Sequence, residues 1–422
     1  MIPAREVVIT GLGVVSPIGI GTEAFWSSLV EGRSGIRPTS LLEGDGAPRP
    51  IGGEVCHFDP KQFVRQRKSL KLMSRDIQLA VAAAELASKN ARLDASPPDP
   101  DRLGIVFGSD MILCELEEMV PAYRGCMVDG KFQSELWGKH AMSDLFPLWM
   151  LKYLPNMPAC HIAIAQDARG HNNTLTLAEV SSLAAIGEAM RVIQRGQADV
   201  IIAGGASSRL HPSVWSRRAG YQLSNRLDDP AAACRPFDAD RDGTVWGEGA
   251  AAFVMEDRRH AEARGAAVLA MPLAHASAFE PRRNDRPLKG DAIRAAIRRA
   301  LREAELSPNQ IGHVNAHGMG TTLEDQVEAQ AIRDTLADVP VTAPKSYFGN
   351  LVAGAGAVEM AVSVLGCQRG TIPPTLNYQR PDPLCPVNVI HGQPLNPSLR
   401  TAMVLNHVSL GRAVAMVIAY PG

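Results

Sequence analysis

The stretch Gly170-His171-Asn172-Asn173-Thr174-Leu175-Thr176-Leu177-Ala178-Glu179-Val180-Ser181-Ser182 passes from an extended segment into an alanine-rich helix that leads on to Ala203-Gly204-Gly205. A strand-to-helix turn of this kind displays one side chain at a helix N-terminus, where unpaired backbone N–H groups and the helix dipole favour a thiolate or another anion. Glu179 is that side chain. Asp238, Asp240, Arg241, Asp242 and Glu248 form a second group with chemical potential, and by composition they resemble a metal cluster. Seven cysteines stand at 56, 114, 126, 160, 234, 367 and 385 with no CxxC spacing for zinc or redox work, and they read as reduced thiols.

The elements that must position these groups alternate between strand and helix. Val7 to Val15 reads as a buried strand breaking into a glycine turn, followed by a helix around Thr22 to Glu31, a helix over Ser74 to Asn90 and a strand at Arg102 to Gly108. An irregular stretch, 110–158, carries Trp137, Trp149 and several methionines; its aromatic content points to a packed cap or interface, or to a segment buried against its own domain. Beyond the Glu179 helix come a strand at Asp199 to Ala203 and a loop over Ser207 to Asp229. A second cycle starts with a strand near Ala267, followed by a helix at Gly290 to Glu305, a strand at His313 to Ala316 and a helix at Leu323 to Leu336. A glycine-rich turn at Gly349 to Gly356 and strands near Ala402 to Leu405 and Ala413 to Ala419 complete it. Strands alternating with helices imply sheets covered on both faces, and the recurring order allows a duplication without demonstrating one.

At 422 residues with 45% hydrophobic content, the chain can bury one large core or two fused ones. Forty-three basic against forty-four acidic residues leave a formal charge of -1, so nothing global points to nucleic acid or a membrane surface. The basic pairs Arg282-Arg283 and Arg298-Arg299 read as solvated helix faces. The N-terminal residues Met1 to Glu6 lack an apolar signal core, and no run of eighteen apolar residues occurs, so a soluble cytoplasmic protein is expected.

The chain resembles the β-ketoacyl synthases of fatty acid and polyketide assembly. The resemblance rests on Val8-Ile9-Thr10-Gly11-Leu12-Gly13-Val14-Val15-Ser16-Pro17-Ile18-Gly19, on Cys234 through Gly249, and on Asn315-Ala316-His317-Gly318 with Lys345-Ser346 and Gly349 to Glu359, in order across almost the whole chain. It implies an α/β, thiolase-like fold of two similar halves, 1–260 and 261–422, stacked as five layers α-β-α-β-α, with 110–158 as a cap or interface insertion in the first half. In the family an elbow cysteine takes the acyl chain from acyl carrier protein, two histidines stabilise the enolate formed as malonyl-carrier loses carbon dioxide, and a lysine supports them. Carried over motif by motif, the cysteine falls on Glu179, the first histidine on His317, the lysine on Lys345 and the second histidine on Asn350. The closing loop NSFGFGG falls on Asn406-His407-Val408-Ser409-Leu410-Gly411-Arg412, placing Val408 and Leu410 at the gating positions. The acidic group around Asp238 holds the fold in this family, so no metal is assigned, and no cofactor is expected beyond the carrier's phosphopantetheine.

Condensation needs a nucleophile that attacks a thioester and then leaves easily, whereas a carboxylate would give a water-labile anhydride. The resemblance therefore implies a non-condensing partner of an active ketosynthase, similar to a chain length factor, in a heterodimer that works with acyl carrier protein. The alternatives are a malonyl-carrier decarboxylase or a condensing enzyme with altered chemistry using Glu179, His317, Lys345 and Asn350, and a homodimer that only binds acyl chains. A charged Glu179 facing an enolate would oppose decarboxylation. As a fixed anion at the helix N-terminus, it would instead pair with Lys345 or His317.

Overall fold

The computed structural model describes residues 5–40, 50–281 and 288–421. Arg298 and Arg299 are exposed on a helix; Arg282 and Arg283 lie outside the described residues.

Twelve strands build two six-stranded sheets. The first contains β1 (Val7–Ser16), β2 (Gly19–Ile20), β3 (Leu103–Ser109), β4 (Asn172–Thr176), β5 (Val200–Ser208) and β6 (Glu248–Asp257), in the order β2-β1-β6-β5-β3-β4. The second contains β7 (Met271–Phe279), β8 (His313–Asn315), β9 (Pro340–Thr342), β10 (Asn388–Val389), β11 (Thr401–His407) and β12 (Arg412–Ala419), in the order β7-β12-β11-β8-β9-β10. Without the short β2 and β10, both sheets place their successive strands as first, fifth, fourth, second and third. The directions also agree: in each sheet two antiparallel pairings are followed by two parallel ones. The two halves therefore share one topology, a stronger sign of duplication than any repeat legible in the sequence.

Seven helices matter here: α1 (Arg75–Asn90), α2 (Met157–Gln166), α3 (Ser181–Gln194), α4 (Asp291–Glu303), α5 (Thr322–Leu336), α6 (Lys345–Phe348) and α7 (Ala355–Arg369). Three apolar cores separate the layers. Ile77 and Val81 of α1 pack with Phe107 and Val254 of the first sheet. Ile293 and Ile297 of α4 and Ile332 of α5 pack on Val314 and Val417 of the second. Between the sheets, Leu183 and Ile186 of α3 and Val358 and Met360 of α7 meet Phe253 from one sheet and Val404 and Met416 from the other. The resulting order is α-β-α-β-α. A helix sandwiched between two sheets is apolar all round, and α7 is buried without interruption from Ala355 to Cys367. Gly108 lets α3 begin against β3, since a Cβ there would stand 2.5 Å from the Ser182 backbone nitrogen.

Some local expectations change. Glu248–Asp257, whose alanines gave no strand signal, is a central strand paired on both sides. The glycine-rich turn at 349–356 runs into the fifteen-residue α7, and the strand expected near Ala267 starts at Met271. The 110–158 segment is more ordered than expected, with helices Leu116–Gly125 and Trp137–Asp144 around a hairpin of Met127–Val128 and Lys131–Phe132. Tyr123 packs against Phe132 and Trp137 at ring-centroid distances of 5.7 and 5.1 Å. Among the described residues, no helix is long and apolar enough to cross a membrane.

Candidate functional site

In open α/β sheets, ligand sites form beyond the carboxyl ends of parallel strands, because the chain leaves those ends together and the following helices present their N-termini there. β4 ends at Thr176 shortly before Glu179, β8 at Asn315 before His317, β9 at Thr342 before Lys345, and β11 at His407 itself. A cavity of about 530 Å³ lies among them, lined by Glu179, Trp246, His317, Asn350, His407 and Val408 among others. The structure thus brings together the positions proposed from sequence, with Lys345 fully buried behind His317.

Glu179 sits in the 3-10 turn Ala178–Val180 that opens α3. The turn is tight enough to hold Ala178 at φ 53°, a left-handed conformation that a residue with a Cβ seldom adopts. Ser181 Oγ fastens it by accepting from the Leu177 N–H and donating to the Ala178 carbonyl, both at 2.7 Å. Asn350 accepts the Val352 N–H at Oδ1 (3.0 Å), and its Nδ2 donates to Glu179 Oε1 at 3.2 Å. Neither Lys345 nor His317 reaches Glu179, which corrects the expected ion pair: both are engaged with one another. Desolvation raises the Glu179 carboxyl above its ordinary range, against the lowering effects of a local backbone N–H, Asn350 and the more distant Arg209. Arg209 itself is paired with Asp110. Burial thus works against the charged form expected at this position.

His317 is set by a buried network. Lys345 Nζ donates to His317 Nδ1 and to the His317 carbonyl, each at 2.8 Å, and its third proton goes to the buried Glu359. All three ammonium donors are used. Asn406 Nδ2 also contacts His317 Nδ1 at 3.1 Å and donates to Glu359 Oε2 at 2.6 Å. With Nδ1 accepting, the ring carries its proton on Nε2. Burial, Lys345 and His407 together push the His317 pKa well down, so the ring stays a neutral donor. Glu328 braces the same segment, accepting the backbone N–H groups of His317 at 2.7 Å and Gly318 at 2.8 Å.

Of the two gating positions, Val408 is buried in the cavity wall and Leu410 is exposed at 64%. Both lie in the tight connection from β11 to β12, where the Gly411 N–H donates to the Val408 carbonyl. Sequence reasoning assigned no role to Glu328, Glu359, Asn406 or His407. Glu359 was the most findable: a lone acid inside Gly-Ala-Val-Glu-Met-Ala-Val must be paired if the run is buried.

The acidic group serves the scaffold. Asp238 takes Arg235 and the N–H groups of Asp240, Gln379 and Arg380; Arg241 takes Asp325 and Asp382; Glu248 takes Arg75. Among the described residues, no three His, Cys, Asp or Glu side chains are grouped to hold a metal ion. No cysteine lines the cavity. Burial pushes the Cys234 thiol up to about 12, the opposite of what a nucleophile needs.

Comparison with known proteins agrees with this geometry. The descriptions "Beta-ketoacyl synthase, N-terminal domain" and "Beta-ketoacyl synthase, C-terminal domain" match residues 4–261 and 270–379. The 3-oxoacyl-[acyl-carrier-protein] synthase 2 of Synechocystis sp. is 33% identical over 395 residues, 92% of each chain. Among solved structures, a β-ketoacyl synthase from Burkholderia phymatum superposes with a TM-score of 0.88 at 28% identity, covering 99% of this chain and 100% of that one. The ishigamide ketosynthase/chain length factor gives 0.87 at 27%, with the same coverage. A thiolase-like fold, the strand-end cavity and matches to both domains place this chain in the β-ketoacyl synthase family.

Proposed function

We propose that this chain is the non-condensing subunit of a heterodimer with a complete β-ketoacyl synthase, acting like a chain length factor on acyl groups carried as phosphopantetheine thioesters of acyl carrier protein. One observation carries the reading: the elbow presents the Glu179 carboxyl where acylation requires a thiolate, in a cavity that no cysteine lines. A cytoplasmic location and a boundary between halves near residue 260 go with it.

Two surface features support a partner. β4 is the edge of its sheet and leads directly into the elbow, and an unpaired edge is a template for another strand. Nineteen large apolar side chains are exposed among the described residues, and ten of them fall within 110–158: Met111, Leu116, Tyr123, Met127, Val128, Phe132, Met142, Phe146, Leu148 and Met150. Apolar exposure concentrated in one segment is the mark of a covered surface. The ishigamide ketosynthase/chain length factor and the carrier-protein synthases in the same family fit this assignment.

Co-expression with a ketosynthase that has its elbow cysteine tests the proposal. A stable mixed dimer is expected, whose acyl-carrier elongation is lost when the partner's cysteine is replaced and kept when Glu179 is replaced by Gln. Elongation by this chain alone would overturn it.

A second reading, malonyl-carrier decarboxylation, gains from the burial of Glu179, which disfavours the charge that would oppose an enolate, while His317 Nε2–H remains a donor. Incubation with malonyl-carrier protein, followed by mass spectrometry for acetyl-carrier, decides it: turnover that disappears in His317→Ala would replace the non-catalytic assignment.

A further inference from the structure

A second cavity, of about 580 Å³, opens beside the end of β5, between the N-terminus of α1, residues 54–58 and the start of the 110–158 segment. It shares no lining residue with the strand-end cavity. Its wall is short of positive charge. Arg75 is the one lysine or arginine among its described lining residues. That guanidinium is held by both carboxylate oxygens of Glu248, donates to the Val55 carbonyl at 2.8 Å and lies 4.9 Å above the Phe58 ring, so it cannot turn away. Glu54 and Asp76 face the same cation, which leaves three buried carboxyl groups around one positive charge. Glu54 receives only the N–H and hydroxyl of Ser40, and Asp76 Oδ1 receives the Ser208 N–H at 2.9 Å.

Two polar side chains on this wall, each more than nine-tenths buried, have no hydrogen-bond partner among the described residues: Ser74 at Oγ and His211 at Nε2. His211 Nδ1 accepts the Ser213 N–H at 3.1 Å, so the neutral ring carries its proton on Nε2. The Glu115 carboxylate lies 4.0 Å from that nitrogen, too far to accept the proton. Buried polar groups are normally paired, and a donor left over here calls for an acceptor that the chain does not supply.

We propose that this cavity binds a small aliphatic ammonium ion that also carries a hydroxyl or carbonyl oxygen, an amino alcohol in the simplest case. The ammonium supplies the missing charge beside Asp76 and Glu54 and donates to Ser74 Oγ. The oxygen accepts the His211 Nε2–H, and the methylenes lie against Phe58, Leu113 and Leu210. A metal ion does not suit the wall, since among the described residues no three His, Cys, Asp or Glu side chains are grouped to hold one.

Asp76 makes the binding sensitive to pH. Burial pushes its carboxyl up to about 7, and Glu248 of β6 and Asp110 beyond β3 add to the rise against the N–H groups of Ser208 and Asp76 itself. Glu54, His57, Glu115, Glu117 and His211 share the cavity with it. A cation beside Asp76 favours the carboxylate, so the ligand displaces a proton near neutral pH and binds more tightly as pH rises through about 7.

The test is calorimetry on the purified full chain with three probes of similar size: 4-amino-1-butanol, 1,4-butanediol and pentylamine. At pH 8 the amino alcohol is expected to bind roughly tenfold more tightly than the diol, on the scale of one charge interaction worth about one pKa unit, and more tightly than pentylamine, which leaves His211 unpaired. Titrations at pH 7 in two buffers of different ionisation enthalpy should show proton release. Asp76→Asn can keep the Ser208 hydrogen bond through its amide oxygen, and it should abolish both the preference over the diol and the proton release. No preference over the diol in wild type, a preference that survives in Asp76→Asn, or pentylamine binding as tightly as the amino alcohol would overturn the proposal. Should the variant fail to fold, wild-type binding without proton release would sink it equally. The cavity is separate from the Glu179 site, so these outcomes leave the partner assignment standing.

Discussion

Lys345 places its ammonium 2.8 Å from His317 Nδ1 and 2.8 Å from the same residue's carbonyl oxygen, which fixes both the orientation and the tautomer of the ring. The arrangement needs Glu359, fully buried, to balance the charge. Removing one member of a buried pair strands the other, at a cost on the order of 3–5 kcal/mol. Lys345→Met should therefore destabilise the fold by about that much in urea unfolding, and adding Glu359→Gln should recover part of the loss. If the double variant were destabilised by the sum of the two singles, the coupling described here would be absent.

Glu179 makes an opposite demand. Its carboxyl pKa is raised in the folded state, so folding favours its proton, and stability falls as pH climbs from the ordinary carboxylate value through the folded one. Glu179→Gln keeps the shape and removes the titration. Relative to wild type the variant should gain stability on going from pH 4.5 to pH 8, as read from denaturation midpoints at the two values. A variant that lost ground over that interval would show that Glu179 is an anion stabilised by its surroundings.

Gly356 sets two familiar effects against each other. Alanine is worth up to about 1 kcal/mol over glycine in a helix, the full amount only in the interior and not in the first turn where Gly356 stands, but a Cβ at this position would lie 2.0 Å from Asn406 Oδ1 and 2.7 Å from Leu183 Cγ. Asn406 cannot step aside, since its amide is engaged with Glu359 and His317. Overpacking costs about 1–3 kcal/mol, so Gly356→Ala should be net destabilising. A rise in the thermal midpoint would show that Asn406 is freer than its contacts indicate.

Legibility of this site in the sequence followed the physics of each element. α1, α4 and α5 were readable because each keeps a helical apolar period, and β1, β3 and β5 because strands buried on both faces are short apolar runs. β6 and α7 were not, because both are enclosed and rich in small residues. Alanine and glycine carry no periodicity when every face is covered, so composition could not separate Glu248–Asp257 from a helix or Ala355–Arg369 from a loop. Motif order placed Glu179, His317, Lys345 and Asn350 around one cavity. It could not show that Lys345 prefers Glu359 to Glu179, or that β11 carries His407 next to His317, because both depend on how the second sheet stacks beneath α7. The partner expected for Glu179 was wrong for the same reason: Lys345 is turned the other way, towards His317 and Glu359.

The edge strand β4 offers a test of assembly that leaves the site alone. The Thr174 N–H is accepted by the Asn173 side chain at 2.9 Å, outside the ladder with β3. A partner strand laid along this edge would take that N–H for itself. Proline at an edge position removes an outward donor without breaking the inner ladder. Thr174→Pro should therefore leave the isolated chain folded, with a circular-dichroism spectrum like that of wild type, while the mixed dimer with a ketosynthase dissociates at least tenfold more readily in analytical ultracentrifugation. An unchanged dimer would move the interface away from β4 and leave the exposed apolar side chains of 110–158 as its seat; charge at Met142, exposed at 87%, would then be the substitution that breaks it.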